Sequence, residues 1–300
     1  MLIKLRDTIN KKLFDLLTNG IVETPPMPVI PASVTFTSIV TDDFVQMFLL
    51  SMKSFYRHMG KGKILAIVRS DMSQEARTML ERHFPGIEFQ VIDDINVGPC
   101  QRGGCWERLL TILDRSKDEY VVQVDSDTLS VGADLNEVRD CIDANRAFTL
   151  SGGEREIVSV AEAAKRADCI NHPYVGLAVE RTLPRYPGAE HLLYVRGSAG
   201  FAGFAKGGFD RSKMDEFHMI MGDLMGNRWT EWGTEQCASN FAVANTPGSI
   251  VLPYPKYANF ESDVDETRAS FLHFIGSHRY KKGIYLKTSK KLISELLAIH

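Results

Sequence analysis

The segment VVQVDSDTL ends an apolar run in two carboxylates, Asp125 and Asp127, separated by Ser126. A strand that finishes in a turn can aim both acids at one point beyond a sheet edge. Hard oxygen donors of this kind suit Mn²⁺ or Mg²⁺ shared with a phosphate better than a closed zinc cage. The same three residues would also suit an acidic loop in water, so their meaning depends on what else the chain supplies. Near the C-terminus FLHFIGSHRY places His273, Gly276 and Arg279 at three-residue intervals. An imidazole can complete a cation's coordination, a glycine lets backbone approach a ligand, and a guanidinium pairs with phosphate oxygens. A buried histidine beside a surface arginine is the plain alternative, but three suitable residue types downstream of an Asp pair favour a site.

These residues need a scaffold that brings distant segments together. VTFTSIV (34–40), ILAIV (64–68), IEFQVI (87–92) and YVVQV (120–124) are short apolar runs. Between them lie helical spacings: the Phe and Met residues of 44–59, then 75–84 and 106–113. The alternation predicts an α/β fold with a mixed, mainly parallel sheet flanked by helices, which binds ligands at the carboxyl ends of its strands. After residue 133 the rhythm loosens, with strands expected at 147–150, 192–195, 201–205, 250–252 and 271–274. Helices are expected there at 159–167, 212–225 and 234–244. Residues 1–32 read as an amphipathic helix, with Leu2, Leu5, Ile9, Leu13 and Leu16 on one stripe, and an extended linker with prolines at 25, 26, 28 and 31. A main domain of 33–282, with a nucleotide-binding half (33–132) and an acceptor half (133–282), then precedes a basic tail of 283–300.

Composition narrows the class. In 300 residues, 44% hydrophobic and 24% charged content fits a globular chain and excludes a disordered or collagen-like one. A net charge of -3 gives no sign of a nucleic-acid partner. Five cysteines without a CxxC pair read as reduced thiols; a zinc site built from Cys100 with Cys105, or from Cys169 with His172, is disfavoured. With no long apolar run or leader-like start, the expected location is the cytoplasm, including the inner face of the membrane.

The motifs resemble glycosyltransferase family 8, metal-dependent enzymes of the GT-A fold that transfer a sugar from a nucleotide diphosphate with retention. His273, Gly276 and Arg279 match the family's His-x-x-Gly-x-x-Lys motif, with Arg for Lys, which keeps the charge and changes its geometry; His278 is out of that register. IVTDDF resembles the opening segment around the nucleotide, through Thr41, Asp42 and Asp43. One of those acids is expected at the base or ribose, the other as a cap on the helix that follows. Arg108 occupies the position of an arginine that reaches the donor. SAGFAGF resembles the Asn-Ala-Gly strand, with Ser198 for Asn and Gly200 retained, and TEQCASN resembles the Asp-Gln-Asp segment through Glu235 and Gln236. The resemblance implies Mn²⁺ or Mg²⁺ held by Asp125, Asp127 and His273, with a nucleotide-sugar donor, a UDP-sugar in the family's manner, and a saccharide or lipid-linked acceptor. Gln236 would lie beneath the anomeric carbon, where a weak nucleophile and a front-face ion-pair route are both open. Order and approximate spacing hold over most of 34–282, at low identity between motifs.

Other readings compete. VVQVDSDT also fits the opening of haloacid-dehalogenase-type phosphatases, with Asp125 as nucleophile and Gly222–Asp223 as a later acidic motif. That later segment reads as helix, however, and His273, Gly276 and Arg279 are left without a role. A nucleotidyltransferase lacks its Gly-rich loop, and a non-enzymatic sugar-nucleotide-binding protein is the third class. Trp229 and Trp232 could stack on sugars or pack in the core. From Arg279 onward six cations face one acid, Glu295, beside Ile284, Leu286, Leu292, Ile293, Leu296 and Leu297. This tail suits either peripheral contact with an anionic membrane or an ordinary solvated helix.

Overall fold

The computed structural model describes residues 2–261 and 264–298, with side chains from residue 7 onward except that of Ser277. The last two residues of the expected tail, 299–300, lie outside the described part. The protein is mixed α/β, with a seven-stranded, mainly parallel sheet flanked by helices. Its chain divides into two compact units, Met1–Asp93 with Val124–Asn136 and Pro255–His300, and Asp94–Gln123 with Glu137–Tyr254.

In the first unit, β1 (Val34–Val40), β2 (Lys63–Val68) and β3 (Glu88–Val91) pair in parallel in that order, with Ser38 opposite Ala66 and Ala66 opposite Phe89. β2 reads as an apolar run after Lys63, and β1 interleaves Thr35, Thr37 and Ser38 with apolar residues; nearly every residue of both is buried, as expected of parallel strands covered on both faces. The helix α2 (Val45–Met59) turns Met47, Phe48, Met52 and Phe55 into the core. It stops at Gly60, whose φ of +76° suits only a residue without Cβ, and whose N–H returns to the Tyr56 carbonyl at 2.8 Å. α3 (Gln74–His83) begins under Ser73, which accepts from the Ala76 N–H. Three short strands of this unit, β5 (Thr128–Ser130), β11 (Tyr257–Asn259) and β12 (Phe271–His273), form a second sheet with β12 in the middle.

Two flanking helices of this unit also pack together. α1 (Leu2–Thr18) buries Phe14, which stacks on Tyr285 of α10 (Ile284–Leu297) with centroids 4.4 Å apart. The apolar stripe read from the sequence is not the face that the protein covers: Ile9, Leu13 and Leu16 face solvent. α10 is correspondingly less free than its sequence suggests, since Leu292, Ile293 and Leu296 are already buried. The proline-rich stretch is strapped to the unit. Met27 and Val29 donate to the carbonyls of His83 and Pro85. Lys53 of α2, fully buried, donates to Thr24 Oγ1 at 2.9 Å and to the Pro25 carbonyl at 2.5 Å. Burial and the nearby Arg82 pull the Lys53 pKa down to about 8.

The second unit contains α4 (Trp106–Arg115), β4 (Tyr120–Val124) up to Gln123, α5 (Asn136–Asp143) from Glu137, β6 (Phe148–Ser151), the antiparallel pair of β7 (Val158–Ser159) and β8 (Leu193–Tyr194), α6 (Val160–Asp168), α7 (Val175–Thr182), β9 (Gly197–Phe204), α8 (Arg211–Met225), α9 (Thr234–Ala244) and β10 (Ile250–Val251). β6 runs parallel to β10 and antiparallel to β9, with a register shift between Thr149 and Leu150. β9 is buried along its whole length. Gly197 is required there, because a Cβ would come within 2.3 Å of Thr149 Oγ1. Trp229 settles in the aromatic core against Trp106 and Phe217, while Trp232 is exposed. The expected alternation thus holds in its long elements. β5, β7, β11, α5 and α7 were not expected, being too short or too polar to show a period of their own.

Candidate functional site

The acid pair sits in a turn fastened from several sides. Thr128 donates both its N–H and its hydroxyl to the Asp125 carbonyl, at 3.1 and 2.8 Å. Ser51, on the buried face of α2, donates to the same carbonyl at 2.9 Å and lies 2.7 Å from Thr128 Oγ1. Ser126 Oγ lies 3.3 Å from Ser38 Oγ and 3.4 Å from the Ile39 carbonyl, near the carboxyl end of β1. Ser126 therefore anchors the turn to the strand edge where the fold class places ligands.

Strand pairing supplies the histidine. β12 runs antiparallel to β5 and sets His273 opposite Thr128, and the Phe274 N–H closes on the Asp127 carbonyl at 2.8 Å. On its other edge β12 pairs in parallel with β11, so Asn259 stands opposite His273. Its side-chain Oδ1 lies 2.9 Å from His273 Nδ1. An amide oxygen can only accept, so Nδ1 carries the proton and Nε2 is the nitrogen left for chemistry. Nε2 lies 3.2 Å from Asp127 Oδ1. At that separation Nε2 can meet the carboxylate oxygen through its own proton, as a hydrogen bond, or through a cation.

Arg279 completes the cluster. It donates through Nη2 to Asp127 Oδ2 at 2.5 Å and through Nε to the Phe274 carbonyl at 3.1 Å. Gly276 precedes it at φ +45°, a left-handed conformation, with open space where a Cβ would stand. Its requirement is therefore backbone shape rather than close approach. Burial alone would favour the neutral acid at Asp127, but His273 and Arg279 outweigh it and hold the carboxyl well below its ordinary range. One ligand atom each from Asp125, Asp127 and His273 lies within 4.8 Å of the others, and these three fit the donor set of a divalent cation that also takes phosphate oxygens. Among the described residues no other His, Cys, Asp and Glu group is so placed, and the two thiol-based zinc pairings are not formed. Cys100, for instance, is directed at Asp215 instead, at 3.7 Å.

Thr41 precedes a short 3-10 turn, Asp42–Phe44, at the start of α2. Neither acid of that turn caps α2, contrary to expectation. The N-cap position falls on Phe44, and Asp42 instead accepts the Ser73 N–H of α3 at 3.1 Å. Hydrogen bonding from Ser73 lowers the Asp42 pKa. Asp43 is exposed.

The remaining expected residues belong to the second unit and form a group of their own. Arg108, on α4, donates through Nη2 to both carboxylate oxygens of Glu235, at 3.3 Å each, and both side chains are buried. Ser198 and Gly200 lie on β9, and the Ala199 N–H between them donates to Gln236 Oε1 at 3.4 Å. Gln236 Nε2 in turn donates to the Tyr174 hydroxyl at 3.0 Å. The amide is thus oriented from both ends. Tyr174 and Asn259 escaped the sequence reading, because a lone tyrosine before a short helix and a lone asparagine in a three-residue strand carry no spacing signal.

The His273–Asn259 contact gives a direct check. Asn259→Ala should leave the fold intact and weaken Mn²⁺ binding by roughly 10- to 100-fold, the usual cost of losing a partner behind a histidine ligand. Titration of the metal-free protein with Mn²⁺, followed by paramagnetic resonance of the free ion, measures it.

No protein-family model matches the sequence, and no curated protein matches it. Solved structures do. The galactosyltransferase LgtC, crystallised with donor and acceptor sugar analogues, is 13% identical with a TM-score of 0.51, over 87% of this chain and 95% of that one. The bifunctional glycosyltransferase WbbM is 16% identical with a TM-score of 0.52, over 89% of this chain and 50% of its own. GlyE of Streptococcus pneumoniae TIGR4 is 15% identical with a TM-score of 0.50, over 88% of this chain and 62% of its own. The chain shares the GT-A fold of these glycosyltransferases.

Proposed function

We propose that the protein is a divalent-metal-dependent glycosyltransferase that moves a sugar, with retention, from a nucleotide diphosphate donor to a saccharide or lipid-linked acceptor. A UDP-sugar is the donor that this reading favours, and the cytoplasm, at the inner face of the membrane, the place of action. The observation that carries it is the convergence of Asp125, Asp127 and His273 on one point, with His273 Nε2 3.2 Å from Asp127 Oδ1 and Arg279 beside them. LgtC supports the donor and acceptor classes, having been crystallised with analogues of both.

Asp125, Asp127 and His273 would hold the cation, Mn²⁺ or Mg²⁺. When bound it supplies Lewis-acid stabilisation of the charge that develops on a departing diphosphate. The protein's own groups do the rest. Asn259 fixes the histidine tautomer, Ser126 and Ser51 fix the turn, and Arg279 offers a guanidinium suited to phosphate oxygens once Asp127 turns to a metal. Gln236, held by Ala199 and Tyr174, is the group proposed to lie at the sugar, with Ser198, Gly200 and the Arg108–Glu235 pair around it. An amide nitrogen or oxygen is a poor nucleophile, which favours front-face attack.

The phosphatase reading is not favoured, since Gly222 and Asp223 lie inside α8 rather than at a strand end. A panel of nucleotide sugars, tested for hydrolysis and thermal stabilisation with and without Mn²⁺, decides the matter. Stabilisation and slow hydrolysis of one donor only with metal are expected. Turnover of phosphate monoesters without any response to nucleotide sugars would overturn the reading.

A further inference from the structure

The helix α1 carries apolar residues on two opposite faces, and the protein covers only one of them. The inner face is taken by Phe14, packed on Tyr285. On the outer face Ile9, Leu13 and Leu16 are 56%, 52% and 73% exposed. Leu17 is also exposed at its border, so that four of the eleven exposed large hydrophobic residues among those described fall on this one helix. An exposed apolar stripe on a helix whose other face is already packed marks a contact surface.

The charges beside that stripe say what it meets. At roughly 100° per residue, Ile9, Leu13 and Leu16 line one face of the helix. Lys12 falls on one flank of this face. The acids of α1 lie away from it: Asp15 pairs with Lys11 at 2.6 Å on the far side, and Asp7 falls in register near Phe14. Among the described side chains of α1, the charge beside the stripe is thus the cation Lys12. Long cationic side chains at the edges of an apolar face can reach phosphates while the face enters the acyl boundary. The neighbouring α10 adds Lys287, Lys290 and Lys291, all exposed. A second copy of the chain laid along the stripe would set these cations against their equals, which disfavours a dimer.

We infer that α1, rather than the C-terminal helix, is the membrane-seating element of this protein, lying in the interface of an anionic bilayer through Ile9, Leu13 and Leu16. The inference is independent of the sugar-transfer reading. It corrects the expectation for the tail, whose Leu292, Ile293 and Leu296 are already used inside the unit and cannot also enter lipid. The lysines of α10 remain able to add long-range attraction, which salt would screen.

Flotation of the full chain with phosphatidylcholine vesicles, with and without phosphatidylserine, tests it. Recovery is expected with the anionic vesicles and little without, falling as salt rises. The doubly substituted Leu13→Ser, Leu16→Ser chain should lose roughly tenfold or more in vesicle affinity, and Lys12→Glu should weaken it further. Both leucines are exposed, so the melting temperature should stay unchanged. Equal recovery of the leucine variant, loss of binding only when Lys287, Lys290 and Lys291 are replaced, or a stripe-dependent dimer in sedimentation would each overturn the inference. A donor screen that fails while flotation succeeds would leave it standing.

Discussion

Replacing Asp127 with Asn should lower the Mn²⁺-dependent affinity for UDP by about 100-fold or more, the largest functional change expected from any single substitution here. The side chain has two oxygens, and both are engaged, one facing His273 Nε2 and the other Arg279 Nη2. An amide replaces a charged oxygen with an NH₂ group, so it withdraws a ligand and presents donors to two groups that already donate or bind cations. Calorimetric titration with UDP, in Mn²⁺ and in a chelator, separates the effect from a loss of nucleotide contacts. Unchanged affinity in Mn²⁺ would sink the metal assignment. A stability effect accompanies it and has a defined sign. Because the carboxyl is held below its ordinary value of 3.8, its ionised form favours the folded state above that pH. The contribution is lost only as the solution is acidified below it, through the folded-state pKa. Asp127→Asn should flatten that part of the acid-unfolding curve.

Glu235→Ala should cost about 3–5 kcal/mol of unfolding free energy, because it leaves the Arg108 guanidinium buried and without its carboxylate. The pair crosses between α4 and α9, in the interior of the second unit, where water cannot replace the missing acid. Urea unfolding should show a lower midpoint with an unchanged slope. The double change of Arg108→Met with Glu235→Leu should recover most of the loss, since removing both charges also removes their desolvation cost. If the single and double variants are equally unstable, the two side chains contribute by packing rather than by charge. The resemblance places both residues around the donor and the sugar. A variant that folds through the double change but no longer responds to nucleotide sugars would tie them to ligand as well as to stability.

The acids and the histidine that converge could be singled out in the sequence because they keep a fixed spacing: two acids flanking a serine, then His, Gly and Arg at intervals of three. The strands that aim them were less legible. β5 and β12 each contribute three residues to a pairing whose register, His273 against Thr128, decides the whole geometry. A segment that short has no period to read, and its pairing is fixed by long-range packing. The same limit hid Asn259, placed behind the histidine by β11. In the second unit Arg108 and Glu235 were singled out, but not their partnership, because they are too far apart in the chain for any local rule to pair them. The orientation of α1 was not legible, for a different physical reason. Its apolar residues satisfy a helical stripe, and a stripe is normally turned inward. Phe14 offers a larger ring to the interior and leaves the aliphatic stripe outside.

The strap ahead of β1 bears on how this protein can be handled. Lys53 is a cation enclosed in the interior whose two oxygen acceptors, Thr24 and Pro25, both come from a stretch that looks dispensable. Trimming the gene to begin at Ser33 would strand that ammonium group and uncover the aromatic ring of Phe84 over which it lies. A shortened fragment made to simplify crystallisation would then precipitate, whereas one that starts ahead of Thr24 would retain the seal.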